Sequence, residues 1–255
     1  MGEAVLAGAL SAGWAPADIV ATVRTEAKAQ HLRETYQVAT TSDNVAAVRG
    51  AGLVLVGVKP KDVGALLDEI APAIDPGSVL VTVAAGHPTT FYEERLPAGT
   101  AVVRTVPNTP ARIGAGITAI APGATATEAH LEAVEHLLAG TGAVVRTAEK
   151  DLDAVTAISG SGPAYVFYVA DALAEAGVLL GLTRDVARRL AVQTLLGASR
   201  LMDESGEHPV LLREKVTSPG GTTAAALRAL DDGGVRASFL AAATAARDRA
   251  RELGG

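Results

Sequence analysis

The chain has no cysteine, which excludes disulfide staples, a thiolate nucleophile and any sulfur-ligated metal. That fits a reducing cytosol. Aromatic residues are scarce at 3%, so stacking platforms for bases are not expected. The five histidines, at positions 31, 87, 130, 136 and 208, show no metal-ligand spacing, and no metal is implied. Basic residues are outnumbered 22 to 28, for a net charge of −6. No Lys/Arg stripe breaks that balance, which argues against nucleic acid as a partner. The longest apolar stretch, 163–182, carries Asp171 and Glu175, each costly at a bilayer centre. It reads as a buried helix of a soluble protein, with no membrane partner. The amino terminus lacks the basic start and apolar run of a signal peptide, and a cytoplasmic location is expected.

What remains is a 255-residue chain with 49% hydrophobic and 20% charged residues, enough for a real core in one large domain or two modest ones. Short β-rich runs alternate with amphipathic helical patterns through the first part, the signature of a parallel sheet with crossover helices. Strands are expected at 18–23, 38–40, 53–58, 79–84, 101–106, 117–121 and 143–146, with helices such as 27–35, 61–71 and 128–139 between them. Leu53-Val54-Leu55-Val56 shows no polar alternation, as a strand covered on both faces requires. After about Glu149 the β-runs stop. Helical periodicity predicts helices at 163–180, 184–204, 210–215, 223–230 and 235–253. The expected architecture is α/β: a Rossmann-like, doubly wound, mainly parallel sheet over 1–148, followed by an all-helical unit over 149–255. About 100 residues of helix hide only roughly 60–70% of their surface unaided. A homodimer, or a multiple of one, built through the helical half is expected.

The first helix begins too early. Met1-Gly2-Glu3-Ala4 runs straight into the helical spacing of Val5, Leu6, Ala9 and Leu10. In a dinucleotide-binding βαβ unit that helix follows a strand and a Gly-x-Gly-x-x-Gly turn, whose amides hold the pyrophosphate. Here only the last of those glycines, Gly2, is present. An ordinary helix start is the alternative. The next expected strand ends at Val23-Arg24-Thr25, where a nucleotide ribose would sit. Arg24 suits a 2′-phosphate through a bidentate charged contact and so favours NADPH, while a solvated surface role stays open and Glu26 leaves NADH open. The strand that should precede Gly2 is the central one of the doubly wound order. Its loss would strand backbone groups at about 1–3 kcal/mol each when buried, so on the order of ten further residues are expected ahead of Met1.

Four motifs carry chemistry: Val58-Lys59-Pro60; Val103-Arg104-Thr105-Val106-Pro107-Asn108-Thr109-Pro110; Ser159-Gly160-Ser161-Gly162-Pro163-Ala164-Tyr165; and Val216-Thr217-Ser218-Pro219-Gly220-Gly221-Thr222-Thr223. In the last, glycines allow close backbone approach, and exposed amides at a helix start attract a carboxylate. A helix–helix turn capped by Thr222 or Thr223 is the competing reading, and both can hold at once. Asn108 stands where the fifth strand ends, the edge at which open α/β sheets bind ligands. It is a candidate for bonding a nicotinamide amide or a substrate, and an Asx-turn is an equal alternative. Lys59 before Pro60 resembles a cofactor-lining position, although a lone surface lysine is common. Ser159 and Ser161 have no paired His and Asp, so they read as capping and packing residues for the helix from Pro163, not as nucleophiles.

In order and spacing these motifs resemble the pyrroline-5-carboxylate reductase family, from Gly2 to Leu253. The segment Ser218 to Thr223, followed by Ala226-Leu227 and Leu230-Asp231, is the most specific element. The resemblance implies hydride delivery from NADPH or NADH to the C=N bond of 1-pyrroline-5-carboxylate, giving L-proline in the last step of proline biosynthesis. Mapped by motif, it places cofactor contacts at Gly2, Arg24, Asn44, Val58, Lys59, Pro60, Ala84, Ala85, Gly86 and Asn108. Ser218, Gly220, Gly221, Thr222 and Thr223 would bind substrate. Thr223 would hydrogen-bond the ring nitrogen or position a water that does so; its hydroxyl is too weak an acid to be a proton reservoir. The first two fingerprint glycines of the family pattern are absent from the sequence. Gly206-Glu207-His208-Pro209 matches it loosely, and Glu207 receives no substrate role. Two alternatives are carried: a catalytically impaired NADP-binding or scaffold relative, and a β-hydroxyacid dehydrogenase-like reductase. The second group is similar in pairing a Rossmann half with a helical half, but uses a lysine acid, and 151–214 contains no lysine.

Overall fold

The computed structural model describes residues 1–254. Two compact units are present, Met1–Gly160 together with the chain from Ala246 onward, and Ser161–Ala245. The expected division at 148/149 marks the end of the β pattern. The compact units part later because Leu152 and Val155 pack on Ala119, Ala121 and Val106 of the sheet.

All seven expected strands form in the first unit: β1 (Val20–Thr22), β2 (Ala39–Thr41), β3 (Leu53–Val56), β4 (Val79–Thr82), β5 (Ala101–Pro107), β6 (Gly116–Pro122) and β7 (Gly142–Arg146). Its helices are α1 (Gly2–Ser11), α2 (Glu26–Tyr36), α3 (Asn44–Val48), α4 (Pro60–Ile70), α5 (Thr89–Glu93), α6 (Glu128–Leu138) and α7 (Leu152–Val155). The strands make a five-stranded sheet in the order β3-β4-β5-β6-β7 and a separate parallel pair, β1-β2. Every pairing is parallel except β5 with β6.

Period-two alternation sorts the central strands onto two faces. Val54, Val56, Leu80 and Val102 pack with Val63, Leu67 and Ile70 of α4 and with the fully buried Tyr92. Val79, Val81, Ala101, Val103 and Ile120 face Val5 and Ala9 of α1 and Leu131, Val134 and Leu138 of α6. Helices thus cover both faces of the sheet, as a doubly wound fold requires. The seat of α1 depends on small residues. A Cβ on Gly140 would stand 2.0 Å from the Gly8 carbonyl oxygen.

The second unit is entirely helical. It comprises α8 (Gly162–Leu179), α9 (Arg184–Ser205), α10 (Pro209–Lys215), α11 (Thr222–Asp232) and most of α12 (Val235–Gly254). Helices α8 and α9 meet through small residues, with Ala174, Ala187 and Ala191 buried and Gly177 directly against Ala187. Ser161 holds the N-cap position of α8 without a side-chain capping bond, and the Ser159 hydroxyl donates to the Val155 carbonyl. The expected capping role of these serines is therefore not met by their hydroxyls. Gly162 and Pro163 begin the helix, Pro163 lacking a donor that the first turn leaves unused in any case.

Candidate functional site

In the first unit the carboxyl ends of β1, β3 and β4 converge on one edge. Helix α1 starts there with Met1 as N-cap and no side-chain capping bond. The first-turn amides of Gly2 and Glu3 therefore keep their donors and the positive end of the helix dipole. Gly57, just past β3, lies so close that a Cβ on it would touch the Gly2 Cα at 3.5 Å. Val58 and Lys59 follow, and Pro60 starts α4.

Arg24, just past β1, donates to an Asp62 carboxylate oxygen at 2.8 Å. That contact, more than the neighbouring Lys61 and Lys59, holds the Asp62 carboxyl below its usual range. Gly86 stands at a φ of +98° that only glycine adopts without strain. His87, beside it, meets the Pro60 carbonyl oxygen through Nε2 at 3.1 Å. The buried Thr82 hydroxyl accepts from the Ala84 amide at 3.2 Å and pairs with the Tyr92 hydroxyl at 2.8 Å, which fixes the turn through Ala84, Ala85 and Gly86. Asn44 reaches α4 from the other side, donating to Glu69 at 3.2 Å. Eight of the ten expected cofactor residues thus lie around the starts of α1 and α4, while Asn44 meets the last turn of α4 through Glu69.

Asn108 is the tenth. It is buried, and its Oδ1 accepts from the Ile117 amide at 3.0 Å. The carbonyl end of its side chain is spent on the chain reversal between β5 and β6, and only its NH2 end is left for a ligand.

Two partners were not legible in the sequence. Asp62 is one; the other is Glu3, which joins α1 to α2. Glu3 accepts from Lys28, meets His31 Nε2 at 2.8 Å and accepts from the Tyr36 hydroxyl at 3.2 Å. The hydrogen bonds from Lys28 and then His31 hold its carboxyl at about 2, against a burial effect of opposite sign. A carboxyl lowered in the folded state contributes stability that is complete above its ordinary value of 4.5 and is lost as pH falls through about 2. Glu3→Gln should therefore lower Tm at pH 7, and its gap to the parent should close between pH 4.5 and 2. A constant gap across that range, in paired thermal melts, would show that the charge plays no part.

The second unit holds the Ser218 to Thr223 turn. The Gly221 amide donates to the Ser218 carbonyl at 3.0 Å, and Gly220 has a φ of +70°. Gly221, not a threonine, is the N-cap of α11, with no side-chain capping bond. The expectation of a Thr222 or Thr223 cap is corrected here: both threonines lie inside the first turn. The amides of that turn keep their donors, and the half-buried Thr223 has its hydroxyl beside them. Such a turn can receive a carboxylate and offer one hydroxyl to a neighbouring polar atom.

The first-unit edge fits a pyridine dinucleotide in part. Free first-turn amides, a bare Gly57 against Gly2 and the cations Arg24, Lys59 and Lys61 suit a phosphate-bearing ligand. Of the phosphate turn, the described residues supply only Gly2. Among those residues no cluster of His, Asp or Glu could hold a metal ion, and no helix is long and apolar enough to cross a membrane.

A Rossmann-like unit followed by a helical one defines the class of two-unit, dinucleotide-dependent oxidoreductases. Residues 1–86 match the family described as NADP oxidoreductase, coenzyme F420-dependent, and residues 149–253 match pyrroline-5-carboxylate reductase dimerisation. A pyrroline-5-carboxylate reductase of Corynebacterium melassecola is 44% identical over 100% of this chain and 95% of its own. One from Methanosarcina acetivorans is 37% identical over 100% and 94%. Among solved structures, a pyrroline-5-carboxylate reductase from Coxiella burnetii superimposes with a TM-score of 0.95 at 34% identity, covering 100% of this chain and 95% of the other. The Plasmodium falciparum pyrroline carboxylate reductase, solved with NADP bound, gives 0.86 at 26% identity over 100% and 95%. The chain belongs to the pyrroline-5-carboxylate reductase family.

Proposed function

We propose that this chain catalyses the reduction of 1-pyrroline-5-carboxylate to L-proline with a reduced nicotinamide cofactor. The observation that carries the reading is the 44% identity to a pyrroline-5-carboxylate reductase across the whole chain, and the open turn at Ser218 to Thr223 suits it. Neither a scaffold nor a β-hydroxyacid dehydrogenase gains support from the comparisons.

The cofactor, NADPH before NADH, belongs to the unit of residues 1–148. When bound it supplies the hydride. Gly2 and its neighbouring amide would hold the pyrophosphate, and Arg24 with Lys59 a 2′-phosphate. Asn44, Val58, Pro60, Ala84, Ala85 and Gly86 would line the nucleotide, and the Asn108 NH2 would reach the nicotinamide amide. Residues 149–255 form the dimerisation and substrate unit. Ser218, Gly220, Gly221, Thr222 and Thr223 would capture the substrate carboxylate, with Thr223 oriented to hydrogen-bond the ring nitrogen. A cyclic imine is readily protonated near neutral pH, so placement and exclusion of water matter more than a strong acid. The working form is a cytoplasmic homodimer or an oligomer of dimers. Phe167, Tyr168 and Leu240, at 66%, 78% and 72% exposure in the single chain, give such an assembly its apolar contact. In a substrate panel with NADPH, the cyclic imine should turn over and 3-hydroxy acids with NADP should not; the reverse order would replace this reading with a carbonyl reductase.

The Arg24 assignment has its own test. Asp62 competes with a phosphate for the same guanidinium, so Asp62→Asn should tighten NADPH binding about threefold, the scale of an exposed ion pair. NADH binding should not change. Equal tightening of both cofactors, in fluorescence titrations, would remove Arg24 from the 2′-phosphate.

A further inference from the structure

Helix α5 is five residues long and has Pro88 as its N-cap, which supplies no side-chain capping bond. A helix that short does not hold itself, and its first amides need an acceptor from elsewhere in the chain. Glu149 supplies one from 60 positions further along. Its Oε1 accepts from the Thr89 amide at 2.6 Å and from Arg104 at 3.2 Å, and its Oε2 accepts from the Thr89 hydroxyl at 2.8 Å. Thr89 is buried, so loss of this carboxylate would leave two donors away from water. The arm is rooted as well as aimed. Glu149 opens the turn that leads into α7, whose Leu152 is buried against Ala119 and Ala121 of β6. Arg104 stands on β5 between Thr82 of β4 and Ala121 of β6.

This grip falls on the segment that joins β4 to α5 through Ala84, Ala85, Gly86 and His87. Its entry is fixed by the Thr82 hydroxyl, which accepts from the Ala84 amide, and its exit is Thr89. Between them His87 reaches the Pro60 carbonyl oxygen at the start of α4. We propose that Glu149 is a positioning residue for the nucleotide: through the Thr89 amide and hydroxyl it sets where the backbone of the Gly86 turn meets the cofactor. Glu149 needs no contact with the cofactor to do so. Tyr92 keeps α5 against β4 through its bond to Thr82, so release of Thr89 should free the turn while the helix stays in place. The proposal rests on the reading of Ala84, Ala85 and Gly86 as cofactor-lining; the hold of Glu149 on Thr89 does not.

The test compares the full chain with Glu149→Ala, Glu149→Gln and Thr89→Val by thermal melts, by hydrogen exchange without cofactor and by NADPH titration. Glu135→Gln is the control, since Glu135 pairs with Arg146 of β7 at the opposite edge of the sheet from β3. Glu149→Ala should speed exchange at Ala84, Thr89 and Phe91, the hydrogen-bonded amides at the two ends of the turn, and weaken NADPH binding about tenfold. Glu149→Gln keeps an acceptor for the Thr89 amide and should stay within about threefold of the parent. Thr89→Val loses the hydroxyl alone and should cost about threefold; added to Glu149→Ala it should cost nothing more, because both remove the same contact. Glu135→Gln should leave exchange at those amides and NADPH affinity as they are, whatever it does to Tm. The proposal is overturned if Glu149→Ala leaves both at parent values, or if the control shifts both equally. Faster exchange with unchanged affinity also overturns it: the hold on Thr89 would stand, and the Gly86 turn would leave the cofactor site. A parent chain that binds no NADPH would overturn the cofactor reading itself, and this proposal with it.

Discussion

Thr223→Ala is expected to lower kcat about 100-fold while leaving the Kd for NADPH unchanged. The hydroxyl sits in the first turn of α11 among amides that no side chain caps. A carboxylate held by those amides would place a ring nitrogen within its reach, and a single positioned hydrogen bond governs how often the reacting atoms align. The methyl group lost in the substitution lies on a half-buried side chain, so the fold should survive. Thr223→Ser keeps the hydroxyl and should recover most of the turnover. If Thr223→Ala raises KM and spares kcat, the residue binds substrate without taking part in the chemical step. If neither constant moves, Thr223 leaves the site altogether.

Gly140→Ala should be among the most damaging single methyl groups in the first unit. The added Cβ would lie 2.0 Å from the Gly8 carbonyl oxygen and 2.7 Å from its carbon, both backbone atoms of α1. Neither side can rotate away. Relief requires α1 to leave its seat, which exposes the buried Val5 and Ala9 and moves Gly2 away from Gly57. A loss of about 3 kcal/mol or more is expected, read in urea unfolding as a lower midpoint. Gly52→Ala meets nothing within 4 Å and should stay within about 0.5 kcal/mol. Equal effects at the two sites would contradict the account of how α1 is held.

The Gly140 effect depends on close packing that hydropathy cannot display. The strands were legible because β3 and β4 are apolar at nearly every position, and the long helices because their periodicity runs for several turns. Helices α3, α5 and α7 span one turn or little more, too short to set up a period. The reversal of β6 against β5 had a signal in the spacing: residues 106 and 117 bound a connection too short for a parallel crossover. Asn108 shows how a motif residue can serve the fold first, its carbonyl end closing that reversal. The edge that gathers Gly2, Arg24, Pro60 and Gly86 followed from the doubly wound order. What holds that edge did not. Arg24 and Asp62 lie 38 positions apart, and Glu3 reaches Lys28 and His31 across two helices. Charges at such separations leave no pattern in a sequence.

The most direct test of the central claim mixes this chain with NADPH and 1-pyrroline-5-carboxylate and follows both the reduced nicotinamide and the product. The account predicts consumption of NADPH that depends on the cyclic imine and matches L-proline formed one for one. Bound NADPH that stays reduced at saturating cyclic imine, or that is consumed without L-proline appearing, would contradict it.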